Sequence, residues 1–308
     1  MHPAPVAPNR VIRRKGSLST SLSVPIQHVT PGAAASTRGR SGLGFGVRNR
    51  PALVSSGYNA RVCTMSWRQT KTGYEIFFNR DERRSRKPAR GPALHTRDGT
   101  RFLAPVDGDF GGSWLAVNEH GVTLAIENGY TDLDDLAHQP DEGFTSRGLL
   151  LTSLTTCRSS AEALRRIEGL DLHRYRSFLL TVFDSDGTGL LARWIRGLLS
   201  VDRELEPLVP IVSSSFETDE VRRSRQDLFH RMRDKAGRDE RELHLAFHES
   251  HLPRRGAYSP CMHRTDARTV SFSHVQVDER EVRFGYVPHA PCQGRPTGPP
   301  VRMALARR

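Results

Sequence analysis

The chain has no apolar run of the roughly 18 residues that a membrane-spanning helix requires, so no membrane span is expected. Its N-terminus lacks the apolar core and small-residue cleavage site of a secretory leader. Cysteine is scarce: four residues, at 63, 157, 261 and 292 of 308, are too scattered for a disulfide framework. Reduced thiols fit the cytoplasm, which is the expected compartment. Acid is missing altogether from residues 1–61, which hold nine cations and no Asp or Glu. Those nine account for most of the net charge of +12 and leave +3 for the remainder, ordinary for a soluble domain. The main reason to expect nucleic acid on the core disappears with them. A phosphate loop is missing too. Gly111-Gly112 is followed by neither a helix signal nor Lys-Ser/Thr, and reads as a turn or a close backbone approach.

What is present divides at Cys63. Residues 1–62 are rich in Pro, Gly, Ala, Ser and Arg with no steady apolar period. Such a stretch buries too little apolar surface to offset its ordering entropy, so a disordered basic extension is expected. Beyond it, 63–68 and 74–79 read as a strand hairpin, and 111–118 with 121–128 as a second. Helices are predicted at 147–157 and 159–168, then strands at 177–184 and 189–195. Two charged amphipathic helices, 217–233 and 239–248, precede two last strands at 269–277 and 281–287. Strands dominate both ends and helices the middle, as in an α+β layered domain. The domain is expected over 63–292, with 293–308 a loose C-terminal tail.

The informative constellation begins with Cys63-Thr64, followed by Asn79-Arg80-Asp81-Glu82. Next come Gly111-Gly112-Ser113-Trp114 running to Asn118 and Gly121, then Glu127-Asn128 and Ser146-Arg147-Gly148. In this order the segments resemble the NRDE family, which includes the transport and Golgi organisation 2 homologues. The likeness is specific from Cys63 to Gly148 and looser around Ser213–Arg225 and Ser259–Cys292. That family looks like a branch of the N-terminal-nucleophile hydrolases, close to cysteine-type bile salt hydrolases and penicillin V acylases. The resemblance implies a four-layer αββα sandwich with the nucleophile at the start of a central strand. It also implies hydrolysis of linear amides, or acyl transfer, with a small-molecule amide as partner and no metal or organic cofactor required.

The implied roles are chemically coherent. The α-amine of a terminal cysteine can take the thiol proton, because amine and thiol pKa values lie near about 7.7–8.0 and about 8.5. The guanidinium of Arg80 should lower the pKa of the Cys63 thiol. Asp81 would hold the ammonium formed during attack, and Asn128 would donate to the oxyanion. Arg147 is expected to open a helix capped by Ser146, with a substrate-carboxylate role as its alternative. For the late arginine of related amidases, Arg264 and Arg268 both stand as candidates. Plainer readings stay open beside these. Cys63 could be an inert buried thiol, Arg80 and Asp81 a surface ion pair, and Asn128 a strand end before Gly129.

Cys63 is internal in this chain, and three readings address that. Initiation at the codon of Val62, GTG serving both as valine and as a bacterial start, would give Met-Cys-Thr and then a terminal cysteine. An Arg-rich, acid-free presequence cut two residues after Arg61 would do the same. If the extension stays attached, the domain binds rather than cleaves, holding haem, lipid or another apolar ligand as the family's eukaryotic members imply. A basic arm on nucleic acid is a further rival confined to the extension. One cluster falls outside this scheme: Cys261-x-His263 and His289-x-x-Cys292 carry ligands that zinc prefers, but not in the spacing of a standard module.

Overall fold

A computed structural model describes residues 62–130, 143–234, 239–295 and 298–306. The expected extension therefore lies outside the described residues, apart from Val62. Thirteen strands and four helices are formed among the described residues.

The first strand, β1 (Val62–Thr70), turns through Gly73 into β2 (Gly73–Arg83), with Cys63 opposite Arg80 and Met65 opposite Phe78. On its other side β1 pairs with β10 (Ile211–Ser214), placing Cys63 opposite Ser213. Strand β2 pairs in turn with β11 (Ala267–Val277), which pairs with β12 (Glu281–Val287). The tail expected to be loose instead supplies β13 (Val301–Ala304), hydrogen-bonded to β12. Met303 explains the docking: it is the one buried residue of β13 and joins the core, with half-buried Val301 and Leu305 packed beside it.

The second sheet runs in order β3 (Arg90–Arg97), β4 (Thr100–Val106), β5 (Leu115–Asn118), β6 (Thr123–Asn128), β7 (Phe178–Phe183), β8 (Gly189–Ile195) and β9 (Leu198–Asp202). The hairpin β3–β4 falls where no strand is predicted, because β3 is a mostly exposed edge strand with no apolar alternation. Pro105 near the end of β4 hides the other half.

Helices α1 (Arg147–Ser153) and α2 (Ser160–Glu168) cover the second sheet. Helices α3 (Thr218–Arg233) and α4 (Glu240–Glu249) cover the first. The four layers are thus α, β, β and α, as the resemblance implied.

Strand alternation decides what each layer sees. From β1, Met65 and Trp67 face the second sheet, whereas Ser66 faces α4, where its hydroxyl lies 2.7 Å from His244 and 2.9 Å from His248. From β2, Tyr74, Ile76 and Phe78 face the second sheet, whereas Asn79 points into the helical layer and donates to the carbonyls of His248 and Pro260. The sheets lock where Phe183 stacks on Tyr74 at 5.5 Å and tilts against Trp67 at 5.4 Å. Tyr74 Oη also donates to the Gly121 carbonyl at 2.8 Å, so one side chain supplies both apolar and polar closure.

Replacing Phe183 by Ala should cost about 3–5 kcal/mol, since a fully buried aromatic at the sheet–sheet seam leaves a cavity that strands cannot collapse. A urea titration reads this directly; a loss under about 1 kcal/mol would contradict the seam's importance.

Candidate functional site

At one end of the inter-sheet layer lies a cleft of about 170 Å³, with Cys63 and Arg80 on one wall and Trp114, Glu127 and Asn128 on the other. Arg147, the first residue of α1, closes a side. A tight backbone approach shapes that side: a Cβ on Gly112 would stand 2.4 Å from the carbonyl carbon of Gly148. Ser113 N–H donates to the Gly148 carbonyl at 3.2 Å. Glycine at both places lets the loop before β5 lie directly on the start of α1.

Arg80 faces this cleft from the strand position opposite Cys63. Its guanidinium is already engaged, 2.5 Å from Asp107 Oδ2, 3.5 Å from Glu82, and stacked 4.2 Å over the Trp114 ring. Asp107 is suited to hold it. Burial works against its charge, but the Phe110 amide and the guanidinia of Arg80 and Arg86 keep its pKa below the ordinary value.

Asp81 lies on the opposite face of β2, in the layer beneath α3. Thr269 Oγ1 donates to its Oδ1 at 2.5 Å, and Arg225 Nη1 stands 3.5 Å from Oδ2. Arg225 is fully buried, donates to the Ala257 carbonyl at 2.8 Å, and also hydrogen-bonds Thr64 on β1. Of the arginines late in the chain, the one buried near Cys63 is therefore Arg225. Arg264 pairs with Asp266 at the surface, and Arg268 is exposed, so neither candidate reaches the site. A signal for Arg225 existed in the sequence: it sits on the same helical stripe as Val221, Leu228 and Phe229, all buried.

Asn128 lines the cleft, and its amide donates to Tyr130 Oη at 2.8 Å. Its neighbour Glu127 is the residue that sequence reasoning passed over. It shares the inward face of β6 with Thr123 and Ala125, and is 4 % exposed. Neither of its oxygens meets a hydrogen-bond partner of good geometry among the described residues. Arg147 Nη1 donates to the Ser177 carbonyl at 3.0 Å, and Ser146 caps α1 through its carbonyl rather than its hydroxyl.

These neighbours overturn one electrostatic expectation. The Cys63 thiol is pushed well above its ordinary pKa, by burial first and then by the charges of Glu127 and Asp81. Arg80 does not offset this, because Asp107 and Glu82 already balance its charge. Burial likewise lifts Asp81 from 3.8 to about 7 and Glu127 from 4.5 to about 8, in both cases against the pull of Arg225. Two carboxyls and a thiol share one buried cation.

The chain's family is decided by a match of residues 62–254 to the family model described as Transport and Golgi organisation 2. The chain belongs to the Transport and Golgi organisation 2 family. The matched span of this family member includes every residue of the cleft wall named above. A comparison with curated proteins returns no match. Among solved structures, the chain is similar to an N-acylethanolamine-hydrolyzing acid amidase orthologue of Caenorhabditis elegans, at 11% identity and a TM-score of 0.48, over 69% of this chain and 91% of that one. A penicillin V acylase of Agrobacterium tumefaciens is similar at 12% identity and TM-score 0.42, over 72% and 82% of the two chains. A conjugated bile acid hydrolase variant of Clostridium perfringens follows at 11% and 0.42, over 80% and 97%.

The four cluster residues are only partly brought together. Cys261, His263 and Cys292 converge, but His289 does not: its Nδ1–H donates to the adjacent Ala290 carbonyl at 3.0 Å. His251 takes its place.

The raised carboxyls set a pH dependence. The folded chain keeps protons on Asp81 and Glu127 that the unfolded chain releases above 3.8 and 4.5. Stability should therefore fall as pH climbs from there through about 7 and about 8. Glu127→Gln should flatten that fall and raise the urea midpoint on the alkaline side. An unaltered pH profile in this variant would show that Glu127 is not the buried acid responsible.

Proposed function

We propose that the domain is a cysteine N-terminal-nucleophile hydrolase of linear amides, active when Cys63 carries a free α-amine. The observation that carries this reading is the charge imbalance around Cys63. Asp81 and Glu127 are buried with too little positive charge between them, and an α-amine at residue 63 would supply the missing cation once it takes the thiol proton. It would also supply the base that the attached chain lacks.

The chemistry then follows from the geometry. The amine accepts the thiol proton, and the Cys63 sulfur attacks the amide carbonyl carbon from the cleft floor. Asp81, whose carboxyl lies beneath α3 with Arg225, steadies the ammonium. Asn128 turns its amide from Tyr130 to the developing oxyanion, a contribution worth about 2.7–4 kcal/mol. The ammonium then gives its proton to the leaving nitrogen as the C–N bond breaks, leaving a thioester on Cys63. Water, deprotonated by the same amine, releases the acid and restores the thiol. Arg80, fixed by Asp107 and Trp114, shapes the cleft wall beside the acyl group. Arg147 stands where a substrate carboxylate could reach it. A free thiol of this kind works in a reducing compartment, which fits the cytoplasm.

One observation favours a second reading. Val62 is fully buried with Val212, Val221, Ala257, Met262 and Ala267, a packed position for a residue that the enzyme form would lose. With Val62 in place the thiol stays protonated, and the cleft, walled by Trp114, Phe110 and Phe144, holds an apolar ligand.

The two readings part in one experiment. A protein beginning at Cys63 is expected to gain the mass of an acyl group from an activated amide probe, and Cys63→Ala is expected to gain none. The chain retaining residue 62 should also stay unmodified. Asn128→Ala should slow acylation about 100- to 1000-fold. Absence of an adduct on the Cys63-terminal form overturns the hydrolase reading. An apolar ligand that co-purifies and survives Cys63→Ala supports the binding one.

A further inference from the structure

On the far side of the first sheet, three separate segments converge on one point. His251 follows the end of α4, Cys261 and His263 lie on the loop leading into β11, and Cys292 sits in the turn after β12. One ligand atom from each lies within 4.8 Å of every other. His263 Nε2 stands 3.4 Å from Cys261 Sγ and 3.3 Å from Cys292 Sγ. The edge joining nitrogen to sulfur in a tetrahedral zinc site is about 3.6 Å, given bonds of about 2.0–2.1 and 2.3 Å. The observed separations are within a few tenths of an ångström of that edge. His251 adds an independent sign. Its Nε2 is shut off from solvent with no hydrogen-bond partner among the described residues, and its ring meets that of His263 edge-on at 5.1 Å.

We propose that His251, Cys261, His263 and Cys292 form a closed Cys2His2 site for zinc or a chemically similar divalent transition ion. All four positions of a tetrahedron are filled by protein, so the site is structural and has no open coordination place. Binding replaces two thiol protons with the ion: both S–H bonds break, two metal–sulfur bonds form, and two protons go to solvent. Two imidazoles, two thiolates and a divalent cation make a neutral unit, which suits a partly buried place.

The ion's effect on the fold can be traced atom by atom. Cys261 N–H donates to the Ser250 carbonyl at 3.0 Å, tying the loop to the residue before His251. One residue on, Met262 N–H donates to Thr269 Oγ1 at 2.8 Å, and Thr269 N–H returns to the Met262 carbonyl at 2.9 Å. Thr269 Oγ1 in turn donates to Asp81. The metal thus clamps the loop that holds Thr269 against the buried acid, while none of its four ligands lines the cleft. The rival occupant of the same thiols is a Cys261–Cys292 disulfide.

Elemental analysis of the full chain, purified without a metal-affinity step, should find about one equivalent of zinc. Cobalt exchanged into the site should give the intense visible bands of a tetrahedral ion and a sulfur-to-cobalt charge-transfer band. Cys292→Ser and His251→Ala should cut metal content at least about tenfold, while His289→Ala should keep it. Should the thiol variants fail to fold, the cobalt spectrum of the unsubstituted protein decides alone. Protein with under about a tenth of an equivalent that takes up no cobalt overturns the proposal. So does an intact mass two hydrogens lighter, localised by peptide mapping to a Cys261–Cys292 bond. Neither readout involves Cys63 or acyl transfer, so the hydrolase reading can fail while this one stands.

Discussion

Asp81 and Glu127 lie inside the protein with Arg225 as their shared buried cation, close to Cys63 near the start of β1. Water is largely excluded from all three, so each charge is costly unless another answers it. This arrangement sets the protonation of the whole neighbourhood. It keeps the Cys63 thiol protonated, pushes both carboxyls into the neutral range, and draws Thr64, Thr269 and the Ala257 carbonyl into one hydrogen-bonded set. A buried acid without its full counter-charge is poor design for stability alone. It fits the α-ammonium proposed for residue 63.

The period of a β-strand explains how one tetrapeptide serves two layers. Arg80 and Asp81 are neighbours in the chain, yet adjacent strand residues point to opposite faces. Arg80 enters the cleft between the sheets and is locked by Asp107 and Trp114, while Asp81 enters the helical layer and meets Arg225 and Thr269. On β6, by contrast, Glu127 and Asn128 both line the cleft at the strand's end. A site read as one cluster of four side chains is thus two half-sites joined through the backbone of β1 and β2. The thiol belongs to the cleft half and the raised carboxyl of Asp81 to the other, with Cys63 itself as the bridge.

The loop before β11 links this interior to the Cys and His residues at its margin. Cys261 and His263 flank Met262, which is fully buried beside Val62; its N–H donates to the Thr269 hydroxyl and its carbonyl accepts from the Thr269 N–H. The one hydroxyl of Thr269 thus joins the two, accepting from Met262 N–H and donating to Asp81.

Local pattern determined much of this protein. The hairpin of Cys63 and Arg80, the second hairpin ending at Glu127-Asn128 and the two pairs of helices follow from apolar periodicity and turn residues, while the four-layer class came only with the family resemblance that the ordered motifs carry. Exposed β3 and Pro-containing β4 escaped because an edge strand need not alternate, and β13 because a four-residue strand with one buried side chain shows no period. Only the tertiary structure decided which charges meet. Arg225 lies 144 residues from Asp81, and His251 supplants His289 beside Cys292. Pairings between distant segments depend on which face of each helix or strand is packed inward, and residue type and spacing within one segment carry no record of that.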